Sequence, residues 1–182
     1  MIRSVALLLL ALPFTAGAGE YSVDAAGSKL SFKGSAQGEA FEGVFKRFSA
    51  TVAVDPADAT KTALTADIDI ASVDTQNAER DETLATGDFF DAAKFPKATF
   101  RTKSCQAAGA GKFTCDAELT IRDKSRPVAF PFTFAESGGK ATLDANVTLD
   151  RTQFDVGTGD WAGEDAVAHA VAVSVHLALT PK

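Results

Sequence analysis

The chain has 182 residues, 46% of them hydrophobic, and its 24 acidic against 18 basic side chains leave a net charge of −6. That acidity argues against a nucleic-acid or anionic-membrane partner, both of which reward basic patches, and the scattered acidic residues read as a solvated surface. The length suits one domain with a substantial hydrophobic core.

Residues 1–18 read as a secretion signal. Arg3 supplies the positive charge, Val5 to Leu12 an unbroken apolar run, and Ala16-Gly17-Ala18 a small-residue cleavage pattern that leaves Gly19 as the new N-terminus. The run is too short to span a bilayer, and no Cys follows it to carry a lipid anchor. Residues 19–182 are then a single exported domain with 17 basic and 24 acidic side chains, or −7, because residues 1–18 hold one basic and no acidic residue. The expected location is periplasmic or secreted.

From Tyr21 onward the chain is mostly short alternating segments divided by Gly, Asp, Pro and Ser. Leu30 to Lys33 opens a strand and Gly34 to Gly38 forms a loose turn. Phe41 to Val54 is long enough to bend across a barrel, with Gly43 as the kink point. Asp55-Pro56-Ala57-Asp58 ends it as a turn, and Leu64, Ala66, Ile68 and Ile70 then alternate with Thr65, Asp67 and Asp69. Glu79 to Leu84 predicts a short helix stopped at Gly87. Asp88 is placed to cap a further turn carrying Phe89 and Phe90, until Pro96 forbids helix and biases Phe95 toward extended backbone.

Strands resume at Ala98–Lys103 and Phe113–Ile121. Val128, Phe130, Phe132 and Phe134 keep a strict period of two, and Gly138-Gly139 turns the chain into Leu143, Ala145, Val147 and Leu149. The final strand is expected over Val167–Leu179, with Val171, Val173, Val175, Leu177 and Leu179 on one face and Ala170, Ala172, Ser174, His176 and Ala178 on the other. Small residues facing inward would leave room inside a barrel. About eight strands joined by short turns predict an all-β fold, an antiparallel eight-stranded barrel with a short helical insertion, wide enough for one small ligand. A Greek-key sandwich is the competing architecture.

The two cysteines, Cys105 and Cys115, flank the turn-like Ala108-Gly109-Ala110-Gly111. An even count at close spacing in an exported protein predicts a disulfide that staples a hairpin. Strict alternation places Cys105 with Thr99, Arg101 and Lys103, but Cys115 with Phe113, Ala117 and Leu119. Both sulfurs must share a face, so a bulge or a twisted loop is expected nearby. A redox-active pair is disfavoured because the spacing is not CxxC.

Chemistry-bearing motifs are sparse. His169 and His176 are both assigned to the final strand, on opposite faces, and cannot jointly hold a metal. There is no GxSxG, HExxH or glycine-rich phosphate loop. Asp67 and Asp69 lie on one exposed strand face, and Asp88 and Asp91 suit helix capping. Asp150 and Arg151 suit a structural ion pair at a turn, with a polar contact to a ligand head group as the lesser alternative. No catalysis, cofactor or metal is expected.

Asp88 to Phe100, with its paired Phe and its Pro before a strand, resembles the signature of the YceI-like family. Leu119-Thr120-Ile121-Arg122 with Lys124 to Val128 is similar to a strand–turn–strand run of that family in which Asp123 replaces the usual Gly. Leu149 to Gly157 resembles its RxxFG run, with Asp155 where Gly is common. Arg80, Asp81 and Leu84 match its helix, whereas Thr83 stands where a His is frequent, so any role of that His does not transfer. Trp161 and Asp165 to Ala168 resemble its longer proteobacterial members.

The resemblance implies a lipocalin-like barrel that binds a polyisoprenoid, or a similar long-chain lipid or quinone, without covalent chemistry. Candidate lining residues are Phe32, Phe45, Leu64, Ile68, Phe89, Phe90, Phe100, Leu119, Phe130, Phe132, Phe154 and Trp161, with Phe89 and Phe90 the strongest because a helical insertion forms a natural pocket wall. The same side chains suit an ordinary solid core. An alternative role is an accessory module of a membrane redox system of the cytochrome b type, as the resemblance to some relatives suggests. The expected state is monomer or homodimer.

Overall fold

The computed structural model describes residues 18–182, so residues 1–17, and with them nearly all of the expected secretion signal, lie outside the described residues. The strands are β1 (Gly19–Ala36), β2 (Glu39–Phe45), β3 (Phe48–Val54), β4 (Ala63–Asp69), β5 (Val73–Asp74), β6 (Lys97–Gly109), β7 (Lys112–Ile121), β8 (Lys124–Ser137), β9 (Lys140–Asp150) and β10 (Ala170–Pro181), with one α-helix, α1 (Ala78–Ala85). Neighbours pair in the order β10-β9-β8-β7-β6-β4-β3-β1, and β10 pairs back onto β1. β2 and β3 are two arms of one bent strand, lying against Ser31–Ala36 and Gly19–Tyr21 of β1. The result is a closed antiparallel barrel of eight strands with one short helix, as expected, and not a sandwich. Among the described residues no helix is long and apolar enough to cross a membrane.

The strand expected to begin at Leu30 starts at Gly19, and the turn after it narrows to Gln37-Gly38. Both turn residues have positive φ (52° and 82°), as a tight hairpin requires. The bend in the following strand falls at Lys46-Arg47 instead of Gly43. There the N–H of Lys46 donates to the Ser72 carbonyl and that of Arg47 to Ser72 Oγ, each at 3.0 Å. Gly43 serves space instead, since a Cβ there would collide with the ring of Phe32.

Asn77 caps α1 by accepting the Arg80 N–H at 3.0 Å. The helix ends at Thr86 in extended backbone, one residue short of the expected glycine stop. Its last carbonyls are taken up by the Phe-Phe-Asp turn: Phe90 N–H donates to Leu84 at 3.0 Å and Asp91 N–H to Thr86 at 2.8 Å. Asp88 does not cap this turn. Its carbonyl accepts the N–H groups of Gly157 and Thr158, both at 2.8 Å.

The bulge demanded by the cysteines lies in β6. Register shifts between Thr102 and Ser104, leaving Lys103 as the extra residue. Phe100 therefore faces inward before it and Cys105 after it, directly opposite Cys115, and the two form a disulfide. In β10 the branched row points inward and the alanine row outward, the reverse of the room-making arrangement. That strand begins at Ala170, because Val167 is held in the preceding loop by a bridge to Ala36. The barrel end farther from α1 is solid. Tyr21, Val54, Phe113, Phe132, Phe134, Leu179 and the disulfide pack together there, with Tyr21 edge-on to Phe134 at 5.3 Å between ring centres.

The closed end can be tested through its cross-link and its tyrosine. Cys105→Ser/Cys115→Ser removes a bridge between residues 10 apart. The double variant is expected to lose about 2.5–3 kcal/mol in the chain-entropy model, seen as a Tm lower by roughly 5–12 °C for a domain of this size. Tyr21 donates to Glu136 Oε1 at 2.7 Å. Burial first, then that hydrogen bond and the carboxylate's charge, push its pKa up to about 12. The folded state thus favours the neutral phenol, so this contribution to stability is complete below about pH 10 and is lost as pH rises through the folded value. Tyr21 is the chain's one tyrosine, so its absorbance titration should centre near 12 when folded and about 10 in denaturant.

Candidate ligand-binding site

Strand alternation lines the barrel bore with apolar side chains, and the bore is not filled. An inner cavity offers about 130 Å³ to the centre of a water molecule, with Val52, Leu64, Phe100, Phe130, Leu143 and Leu177 on its wall. An outer cavity of about 180 Å³ is bounded by Phe32, Phe45, Phe89, Phe90, Phe154 and Val171. The two adjoin, because Leu30, Ile68, Leu119, Leu149 and Val173 line both. A vestibule of about 270 Å³ opens at the helix end, sharing Phe41, Leu84, Phe89 and Val167 with the outer cavity and adding Gln37, Asn77, Glu79, Arg80, Thr83 and Trp161. An apolar void offers water too few partners to hold it, so hydrocarbon is the chemistry that these walls accommodate.

Of the residues singled out from the sequence, Leu64, Phe100 and Phe130 stand on the inner wall, and Phe32, Phe45, Phe89, Phe90 and Phe154 on the outer. Ile68 and Leu119 belong to both, and Trp161 to the vestibule. Phe132 is on none of these walls. It is buried in the solid end, stacked on Phe113 at 5.0 Å. Aromatic pairs stiffen the outer wall: Phe32–Phe45 at 5.6 Å, Phe45–Phe90 at 6.0 Å and Phe89–Trp161 at 5.6 Å. Sequence reasoning missed the valine row of β10, together with Leu30, Phe41, Leu149 and Val167. Simple alternation marks most of these; the missing information was which face of β10 turns inward.

The mouth is organised by Arg151, which comes after β9 on a short 3-10 turn, Arg151–Phe154. This side chain is 5% exposed, yet its donors meet backbone carbonyls and no carboxylate. Nε donates to Ala168 at 3.1 Å, Nη1 to Val156 at 2.7 Å and Gly157 at 2.8 Å, and Nη2 to Trp161 at 2.7 Å and Val167 at 2.6 Å. The expected Asp150–Arg151 ion pair does not form. Asp150 instead accepts the N–H and hydroxyl of Thr152 at 2.9 and 2.6 Å, which holds its carboxyl below the usual value. Burial lowers the Arg151 pKa, with Glu164 and Asp150 opposing. All its nitrogens being engaged, Arg151 presents no spare donor to the bore.

Arg122 also engages carbonyls of the same mouth segment, donating to that of Phe89 at 2.9 Å and to that of Asp155. The two aspartates noted where Gly is usual in the resembled runs, Asp123 and Asp155, divide here. Asp155 adopts left-handed backbone (φ 54°), but in the β7–β8 turn Arg122 (φ 56°), not Asp123, takes that role.

His169 lies in the loop before β10, not on it. Its Nδ1 meets Glu164 at 2.8 Å, while His176 Nδ1 meets Asp144 at 2.6 Å on the outer face. Asp67 and Asp69 are each engaged by a cation, Lys97 at 3.6 Å and Arg47 at 2.8 Å. Among the described residues no three His, Cys, Asp or Glu side chains converge as a metal site.

A closed antiparallel barrel with a hydrocarbon-walled bore, a solid floor and a helix at its mouth defines a lipocalin-like binding barrel. The chain belongs to the YceI-like family, matching that domain over residues 21–179. It is similar to a UPF0312 protein of Vibrio vulnificus, 33% identical over 72% of this chain and 71% of that protein. Among solved structures it resembles Burkholderia cenocepacia BcnA, with a TM-score of 0.83 and 37% identity over 86% of this chain and 99% of that one. A polyisoprenoid binding domain from Saccharophagus degradans shares the fold alone, at a TM-score of 0.69 and 13% identity over 91% of this chain and 99% of that one.

Arg151→Met would strand five backbone carbonyls that now accept charge-assisted hydrogen bonds, three of them in buried contacts. The variant is expected to lose at least about 3 kcal/mol in urea unfolding. Limited proteolysis should then cleave first within 156–168, leaving the strands intact. Arg151→Lys should recover only a minor part, since an ammonium cannot reach so many acceptors in a plane.

Proposed function

We propose that this protein is an exported, non-enzymatic carrier that sequesters one polyisoprenoid, or a similar long-chain lipid or quinone, with its tail in the bore and its head in the vestibule. The observation that carries this reading is the pair of adjoining apolar cavities inside a closed barrel. The family match and the polyisoprenoid-binding fold relative support it. So does energetics. Each buried CH₂ contributes roughly 0.8 kcal/mol, so three or four isoprenes offset an association cost of about 4–15 kcal/mol.

The lining residues identified above are the ones that would touch the tail. Gln37, Asn77 and Arg80 would face the head, with the Arg80 guanidinium stacked 4.5 Å above the Phe41 ring. Residues 1–18 act as an export signal on this reading. The disulfide fits an oxidising compartment such as the periplasm.

Protein isolated from its native host should carry a hydrophobic molecule extractable into organic solvent and visible by native mass spectrometry. After delipidation it should bind geranylgeraniol at micromolar concentrations or tighter. Trp161, the one tryptophan, packs on Phe89 at the mouth and gives a fluorescence signal for this binding. Ile68→Asp, a charge in both cavities, should weaken it at least tenfold. Delipidated protein with no affinity for such tails would overturn the carrier reading.

A further inference from the structure

We propose that the bore measures tail length: the ring formed by Leu30, Ile68, Leu119, Leu149 and Val173 divides it, and only tails long enough to pass that ring gain the inner chamber's contacts. The inference rests on the carrier reading and deepens it to a ligand class, prenyl chains that span both chambers but end at the floor.

The ring residues come from β1, β4, β7, β9 and β10, so they encircle the bore and do not form a patch on one wall. On the mouth side lies the larger chamber, of about 180 Å³, and beyond the ring the smaller one, of about 130 Å³. A tail stopping short of the ring therefore forgoes a large share of the available burial. Below the inner chamber the bore ends. Val52 and Leu143 are 1% exposed there, and the Tyr21–Phe113–Phe132–Phe134 cluster seals the barrel beneath them. With that end shut, a tail enters from the helix end and has a fixed depth to fill.

The inner chamber owes its space to two small residues. Ala50 of β3 and Ala66 of β4 are direct cross-strand partners, and both line it. Larger side chains there would occupy the void itself, while the outer chamber and vestibule, to which neither belongs, keep their walls. Among the described residues no ionised side chain lines the inner chamber, so its contribution scales with hydrocarbon length alone.

The test uses delipidated protein and unphosphorylated prenols of increasing length: geraniol, farnesol, geranylgeraniol and solanesol. Wild-type affinity should rise at least tenfold per added isoprene until the floor is reached, then level off. Ala50→Leu/Ala66→Leu should weaken geranylgeraniol at least tenfold and leave geraniol within about twofold, which also shows that the variant is folded. The milder Ala66→Val should shift the length profile in the same direction by a smaller factor. Equal loss at all lengths, or a length profile unchanged from wild type in both variants, overturns the ruler while the carrier reading stands. Failure of the wild type to bind any prenol overturns both.

Discussion

The pairing of the first long strand with the last is the constraint on which the molecule depends. β1 meets β10 from Tyr21–Pro181 to Lys33–Ala172, interrupted by a register shift between Asp24 and Lys29. Closing the ring in this way pairs nearly all of the wall strands' backbone within the sheet. At the irregular stretches the hydroxyls of Thr102 and Ser28 accept the N–H groups of Leu64 and Ala178, so the bore needs few polar groups to complete its hydrogen bonding. That is why the bore can be lined almost wholly by apolar side chains, Leu, Ile, Val, Phe and Ala. An open two-layer sandwich would press its inner faces together and fill the same space with side chains.

At the two ends of the ring, different chemistry meets different needs. The floor is apolar and cross-linked, with the disulfide bridging directly opposed residues of β6 and β7. The mouth is made of irregular backbone, whose carbonyls cannot all find sheet partners. Arg151 resolves that problem by gathering carbonyls from 156 to 168 around one guanidinium, and Arg122 ties the Phe89 turn to Asp155. A Cβ on Gly157 would collide with Arg151, and φ there is +80°, so the cage and the glycine require each other. Phe89 and Phe90 are thereby held as wall without a regular helix beneath them.

Much of this was legible in the chain. Alternation located the strands, breaks of Gly, Asp, Pro and Ser located the turns, and the conflict between the faces of Cys105 and Cys115 demanded the bulge found at Lys103. Ten of the twelve residues proposed to line the bore do stand on the two cavity walls. The failures have a common cause: they concern direction and distance, which periodicity does not encode. Phe132 alternates as faithfully as Phe130 but lies one pair farther down the barrel, past the floor. β10 carries two faces of low polarity, and which of them turns inward is set by its neighbours on both sides. The Arg151 cage is built from carbonyls, to which the side-chain sequence is blind. The adjacent Asp150 offered a plausible partner that the turn geometry assigns to Thr152 instead.

Hollowness and stability pull against each other in this barrel. Wall residues such as Leu119 and Val173 face void where a solid core would supply dispersion contacts, and lost contacts of this kind destabilise cores by kilocalories. The cross-linked floor and the Arg151 cage offset that deficit from the two ends, leaving the middle free. A hydrocarbon tail in the bore would restore the missing contacts, and its binding free energy would add to the folding free energy by mass action. The energy that such a barrel lacks when empty is thus the energy available to hold its ligand. Filling the bore with side chains would strengthen the fold and remove the capacity to bind in the same step.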